Sequence, residues 1–152
     1  MRIYVLGSTT FVKEMVAIVK KLKKRGYDGW IHPHYINYVT QKNHPHLKRI
    51  KDGEHSQVKI ENDYIRQHYE HILESDAVLV VNLKKNGIKN YIGGNVLMEL
   101  SQAYVNDKKI YLLNPIPDMF YKEEIVAMRP IVINGDFDKI KSKHTLRRSG
   151  KR

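Results

Sequence analysis

One glutamate, Glu99, is the first candidate for chemistry in this chain. It lies one turn into a segment that has the pattern of a helix, where the neighbouring residues are apolar or small. A glycine-containing loop, Gly93 and Gly94, precedes it, and Asn95 is a residue that can cap the helix. The positive end of a helix dipole favours an ionised carboxylate, which a carboxylate nucleophile must be. We therefore predict that Glu99 attacks or orients a bound ligand, the alternative being an exposed residue in a salt bridge.

A second candidate loop follows the first predicted strand and consists of Gly7, Ser8, Thr9 and Thr10. Backbone N–H groups and hydroxyls in such a turn are suited to an anion. The loop has neither the lysine of a P-loop nor the glycine spacing of a dinucleotide fingerprint. It is either an anion-binding loop or an ordinary strand-to-helix turn.

Four histidines raise the question of a metal site, because imidazole is a common zinc ligand: His32, His34, His44 and His46. Their spacing in a proline-containing segment fits no structural zinc site, so we predict no metal and no cofactor. Contacts of this segment with a phosphate or a base are favoured instead, through Lys42, Lys48, Arg49 and Tyr35.

Strand-like and helix-like segments alternate along the chain and must position these residues. The apolar patterns predict strands at 2–6, 27–32, 76–82, 109–113 and 130–133. Helices are predicted at 11–25, 61–74 with His68 on its inner face, 95–106 and about 121–128, with a short one from about 136. Residues 33–60 show no convincing period and are either a functional lid or a region whose structure the pattern hides. The alternation predicts an α/β fold with a doubly wound, five-stranded parallel sheet, flavodoxin- or Rossmann-like.

The composition predicts one α/β domain over residues 1–140, followed by a basic tail over 141–152. The net charge is +11, and seven of the 27 basic residues lie from Lys139 onward, which leaves 20 basic and 16 acidic residues before it. Such a tail can bind nucleic acid, or it can be a solvated, disordered end. The absence of cysteine excludes disulfides and thiolate metal sites. No apolar run has membrane length and no signal peptide is recognisable, so a cytoplasmic protein without a membrane partner is expected.

Three motifs together resemble the nucleoside 2-deoxyribosyltransferase superfamily, which includes 2′-deoxynucleoside 5′-phosphate N-hydrolases. They are Tyr4–Ser8, Ser75–Asn82 and Gly93–Ala103, in this order and at suitable spacing, while residues 33–60 are unmatched. The resemblance implies a doubly wound five-stranded parallel sheet that assembles into a homodimer or a larger homo-oligomer. It also implies a nucleoside or nucleotide as the small-molecule ligand.

The resemblance also implies a role for individual residues. Glu99 matches the family's glutamate nucleophile, which attacks C1′ of a deoxyribose, and Tyr4 matches an active-site tyrosine near it. Gly7 and Ser8 match the loop that lines the sugar and phosphate pocket, while Gly93 and Asn95 match the second phosphate-side loop.

Two positions depart from the family pattern. His68 stands where the family often has an aspartate that handles the leaving base, and Ser101 stands where a glycine is usual. An imidazole at position 68 could protonate or pair with the base, or it could be a histidine of the core. The expected function is cleavage of the N-glycosidic bond of a deoxynucleoside or its 5′-monophosphate, by hydrolysis or transfer. The alternatives are a non-catalytic nucleotide sensor and a nucleic-acid-associated protein that uses its basic tail.

Overall fold

The computed structural model describes residues 1–41 and 44–141. Five parallel strands form one sheet in the order β2-β1-β3-β4-β5. The strands are β1 (Arg2–Gly7), β2 (Asp28–Trp30), β3 (Ala77–Val81), β4 (Lys109–Leu112) and β5 (Ile131–Val132). The prediction of an α/β fold with a five-stranded, flavodoxin- or Rossmann-like parallel sheet is therefore confirmed.

Seven α-helices connect and cover these strands in the described part of the chain. They are α1 (Val12–Lys24), α2 (Pro33–Thr40), α3 (Pro45–Lys51), α4 (His55–Asn62), α5 (Tyr64–Leu73), α6 (Gly94–Val105) and α7 (Lys122–Ala127). Two 3-10 turns, Thr9–Phe11 and Phe137–Lys139, precede α1 and follow β5. The turn predicted from about residue 136 is thus 3-10 rather than α-helical.

The core has two layers because successive side chains of a strand point to opposite faces of a sheet. Ile3 and Val5 of β1 pack on one side with α1, whereas Tyr4 and Leu6 pack on the other side with α5, α6 and α7. All five residues of β3 are buried, as expected for a strand covered on both faces. Helices on both faces make this a doubly wound sheet.

The carboxyl ends of β1 and β3 meet at the point where the strand order reverses. β1 pairs with β2 on one side and with β3 on the other, and Gly7 is the register partner of Val81. A Cβ atom on Gly7 would lie 2.8 Å from Sδ of Met15 and 3.1 Å from the Val81 carbonyl oxygen, so a larger residue would force the Met15 side chain to move and would crowd β3. In doubly wound sheets this edge is where ligands bind.

The segment from residue 33 to 60, for which the sequence predicted no secondary structure, contains the short helices α2 and α3 and most of α4. The side chains of His32 and His44 cap α2 and α3 by accepting a hydrogen bond from the backbone N–H two residues later. Pro33 and Pro45 follow in the first turn of each helix, a position that suits proline. Helices of seven or eight residues are too short to reveal a period in the sequence, and histidine is not among the usual caps.

Two predicted helices are also corrected. The helix predicted over 61–74 is interrupted at Asp63, whose φ of 49° is left-handed, so that α4 and α5 are separate. The prediction of Asn95 as a helix cap is wrong, because α6 begins at Gly94 with Gly93 as its N-cap and without a side-chain cap. The Asn95 side chain contacts a lysine instead.

The last described residues of the chain belong to the folded domain. Phe137 and Ile140 are buried in the core, so the fold includes residues up to the predicted end of the domain. The predicted basic tail lies outside the described residues, apart from Lys141. Across residues 1–41 and 44–141, no helix combines the length and apolar character needed to cross a bilayer.

Candidate active site

A cavity of about 460 Å³ opens at the carboxyl ends of β1 and β3. Its wall brings together eight of the nine site residues predicted from the sequence: Gly7, Ser8, Thr9, His68, Gly93, Gly94, Asn95 and Glu99. The ninth, Tyr4, is fully buried and is not part of this wall. The volume suits a small organic ligand of nucleotide size.

Glu99 lies in the wall of this cavity and is only 9 % exposed. Its neighbours on α6, Val96, Leu100 and Ala103, pack on the sheet, which fixes the helix face that carries it. Burial raises the pKa of the Glu99 carboxyl to about 8, and the positive charge of Lys59 offsets part of this effect. The carboxyl is therefore half ionised near pH 8 and mostly protonated at pH 7.

His68 links Glu99 to Tyr4 behind the cavity wall. Its Nδ1 atom lies 2.8 Å from the Tyr4 hydroxyl oxygen and 3.3 Å from Oε1 of Glu99. Burial, together with the charges of nearby histidines, lowers the pKa of His68 to about 3, so the ring is neutral at pH 7. The contact with Glu99 is consequently not an ion pair, and the hydrogen bond of Nδ1 is the one with the Tyr4 hydroxyl.

Tyr4 occupies a second layer of the site. Burial raises the pKa of its phenol, and the nearby Glu99 carboxylate raises it further, so the hydroxyl stays protonated. Its ring also packs against Trp30 and His71. Tyr4 therefore holds the His68 ring, which lies beside Glu99, and is not itself part of the cavity wall.

Two lysines hold the two predicted loops at one end of the cavity. The Lys85 Nζ atom donates to Oγ of Ser8 at 2.8 Å, and the Lys59 Nζ atom donates to Oδ1 of Asn95 at 2.9 Å. Gly93 offers no side chain to the first N–H groups of α6, and free N–H groups at a helix start attract anions. Hydroxyl, amide and ammonium groups together make this end suitable for a phosphate.

Sequence reasoning missed both lysines for different reasons. Lys85 follows β3 closely at the carboxyl edge of the sheet, and that position was a usable signal. Lys59 belongs to α4 and lies 36 residues from Asn95, so only the folded chain brings the two together.

Aromatic rings line another part of the cavity, the aromatic end. Tyr35, Tyr38 and Tyr64 line it with His34. The ring centroids of His34 and Tyr64 are 4.4 Å apart, and those of Tyr35 and His68 are 5.9 Å apart. Flat aromatic faces of this kind can stack on a nucleobase.

The residues predicted to contact a phosphate or a base from within 33–60 differ in where the structure places them. Tyr35 lines the cavity, as expected, whereas Lys48 and Arg49 do not. Arg49 instead pairs with Glu54 at 2.6 Å and with Glu61 at 2.7 Å, which holds α3 and α4 together. Lys42 lies outside the described residues.

One group of histidines is compact enough to hold a metal ion. His32, His34 and His68 each offer a ring nitrogen, and these three atoms lie within 4.8 Å of one another. His44 and His46, which the sequence grouped with the first two, are not members of this cluster. The sequence did not suggest His68 as a third member because it lies on α5, remote along the chain.

Comparisons of the chain with protein-family models, with curated proteins and with solved structures find no match. The function must therefore be argued from the site itself.

Proposed function

We propose that the protein cleaves the N-glycosidic bond of a 2′-deoxynucleoside 5′-monophosphate, with Glu99 as the nucleophile. The observation that carries this proposal is a buried carboxyl in the wall of a cavity that is also lined by groups suited to an anion and by aromatic rings. Asn95, held by Lys59, lies one helical turn before Glu99 on α6. Glu99 contacts His68, whose ring adjoins those of His34 and Tyr35. Phosphate, sugar and base of a nucleotide follow one another in the same order.

The reaction would proceed by double displacement. An ionised oxygen of Glu99 forms a bond to C1′ while the N-glycosidic bond breaks, and its electron pair leaves with the base nitrogen, which takes a proton from water. Water then attacks C1′ of the glycosyl ester, gives up a proton, and restores the carboxylate. The products are the free base and 2-deoxyribose 5-phosphate, and a second base in place of water gives transfer. Retaining glycosidases follow this scheme through an oxocarbenium-like transition state.

The preference for a monophosphate follows from Lys59 and Lys85. Both ammonium groups are anchored on loop side chains by hydrogen bonds of 2.9 Å and 2.8 Å. A free nucleoside would leave these charges without an anionic partner, whereas a 5′-phosphate would accept from them. Charge-assisted hydrogen bonds of this kind are about twice as strong as neutral ones.

The direct test is release of free base from a panel of deoxynucleosides and their 5′-monophosphates. We expect release by the wild type, faster from the monophosphates, and loss of release in Glu99→Gln. Glu123→Gln is a matched control, because it changes an exposed glutamate in the first turn of α7. Release that persists in Glu99→Gln, or occurs only from free nucleosides, contradicts the proposal.

A nucleotide sensor without catalysis is the second candidate, favoured by the raised pKa of Glu99. A protonated carboxyl donates a hydrogen bond to a ligand but does not attack it. This function predicts tight nucleotide binding without base release, and equal binding by Glu99→Gln. Calorimetric titration with a deoxynucleoside monophosphate distinguishes the two candidates.

We further propose that a second copy of the chain covers the cavity mouth. Ile65 of α5 and Met98 of α6 line the cavity yet are 50 % and 42 % exposed. Tyr104 and Val105 extend this apolar surface along α6. Exposed apolar patches of this kind mark interaction sites. Light scattering of the wild type and of Met98→Glu tests the assembly, with a dimer or larger oligomer expected only for the wild type.

A further inference from the structure

Beyond nucleotide cleavage, we propose that His32, His34 and His68 bind a divalent transition-metal ion, Zn²⁺ or one of similar softness. The site lies at the aromatic end of the cavity. His34 and His68 belong to the cavity wall, and His32 is buried behind them. Sets of imidazole nitrogens select zinc, copper, nickel or iron rather than magnesium or calcium.

The ring positions are already close to those of a three-histidine site. The centroids are 4.0 Å apart for His32 and His34, 4.8 Å for His32 and His68, and 5.6 Å for His34 and His68. Three imidazoles that share a zinc ion at Zn–N distances of about 2 Å have centroids roughly 5 Å apart. The ring nitrogens, now within 4.8 Å of one another, would each move by about 1 Å to reach the ion.

Hydrogen bonds around His32 leave its lone pair on one defined nitrogen. Gln67 donates its amide N–H to the Asn62 carbonyl oxygen at 2.6 Å, so that its own oxygen faces Nε2 of His32 at 2.8 Å. Nε2 of His32 therefore carries the hydrogen, and Nδ1 has the lone pair. The only donor to this Nδ1 is the backbone N–H of His34 at a long 3.3 Å, among the residues that the structure describes.

The other two rings can also offer a lone pair. Nδ1 of His68 has its hydrogen bond with the Tyr4 hydroxyl at 2.8 Å, and in the tautomer in which Nδ1 donates to this oxygen, Nε2 of His68 is left as the acceptor. Nδ1 of His34 is buried and finds no hydrogen-bond partner within the described residues. A buried polar atom without a partner is unfavourable, and a metal bond would satisfy it.

The surroundings supply the second shell that metal sites use. Metal-binding histidines usually donate their other N–H to a carboxylate or a carbonyl oxygen, which fixes the tautomer and the ring. Gln67 does this for His32, and on His68 the Tyr4 hydroxyl, with the Glu99 carboxyl nearby, faces the corresponding nitrogen. Three protein ligands leave a fourth position open to water or a ligand, as in catalytic zinc sites.

Metal binding is tested on chelator-treated protein without any nucleotide, so the result is independent of the proposed glycosidic activity. Titration with Co²⁺ should give one ion per chain with the visible bands of tetrahedral cobalt, and Zn²⁺ should displace it. His34→Phe, which keeps an aromatic ring beside Tyr64, should weaken binding by more than about 100-fold. His55→Gln is the matched control, because His55 is an exposed cavity histidine outside the cluster. The metal affinity of this variant should equal that of the wild type.

Two further measurements keep the proposal testable if His34→Phe does not fold. Gln67→Leu removes no ligand but should lower metal affinity by about 10- to 100-fold. X-ray absorption of the one-to-one zinc complex of the wild type should show three imidazoles. Absence of a one-to-one complex, unchanged affinity in His34→Phe or Gln67→Leu, or fewer than three imidazoles overturns the proposal.

Discussion

Replacing Glu99 by glutamine should stabilise the fold at neutral pH. The pKa of this carboxyl is about 8 in the folded protein and about 4.5 in the unfolded chain. Between these values the folded state holds a proton that the unfolded state has lost, so the free energy of unfolding falls as the pH rises. Each pH unit in this window costs about 1.4 kcal/mol, which gives a loss of roughly 3 kcal/mol at pH 7. Glutamine cannot ionise and has nearly the same shape, so the variant avoids this loss.

Urea unfolding of wild type and variant, from about pH 4 to about pH 8, measures the difference. We expect little difference at the acid end, where Glu99 is protonated in both states, and a gain for Glu99→Gln that grows with pH. Glu61→Gln is a control of opposite sign, because hydrogen bonds from Arg49 lower the pKa of Glu61 to about 2. Its carboxylate stabilises the fold above the unfolded pKa, so this variant should be less stable at pH 7. A gain for Glu99→Gln that is independent of pH would refute the reasoning.

Three further predictions concern the groups around Glu99. If Glu99 is the nucleophile, kcat/KM for base release should rise about tenfold per pH unit up to about pH 8 and then level off; Lys59→Met should move this bend to higher pH, which initial rates across the range would detect. Lys85→Met should raise KM for a monophosphate by roughly 10- to 100-fold, the worth of one hydrogen bond to a charged group, while rates with the free nucleoside stay unchanged. Tyr4→Phe should lower the free energy of unfolding by about 1–2 kcal/mol in urea, because Nδ1 of His68 loses its 2.8 Å partner, and an unchanged stability would show that this contact contributes nothing.

The sheet could be predicted because its sequence signals are local and strong. β3 is a run of five apolar residues, Ala77–Val81, and a segment with a helical pattern lies on either side of it along the chain. This arrangement is typical of buried parallel strands. α1 has regularly spaced apolar residues beneath a lysine-rich face, and it was predicted within one residue at either end. The helices α2 to α4 could not be predicted, since α2 and α3 are capped by histidines, α4 has no side-chain cap, and each spans about two turns.

The candidate site likewise has a part that could be predicted from the sequence and a part that could not. Once the strands are parallel, the loops after β1 and β3 must lie side by side, so Ser8 and Asn95 could be brought together from topology. The lysine that contacts each loop could not be predicted, because Lys59 and Lys85 reach these loops only through tertiary packing. Likewise, His68 of α5 meets His32, the N-cap residue of α2, only in the folded chain. No spacing in the sequence indicates this contact.

The two halves of the cavity have different origins in the chain, and this decides where specificity lies. The loop after β1 and the start of α6 supply Ser8, Asn95 and Glu99, which belong to the segments that carry the sequence motifs. The segment between β2 and β3 supplies the aromatic end, the three clustered histidines and Lys59, the cation beside Glu99. Burial alone would keep Glu99 protonated, and Lys59 is the group that opposes it. Under the proposed function, the segment that the motifs do not explain would therefore control both which ligand fits the cavity and whether its carboxyl can react.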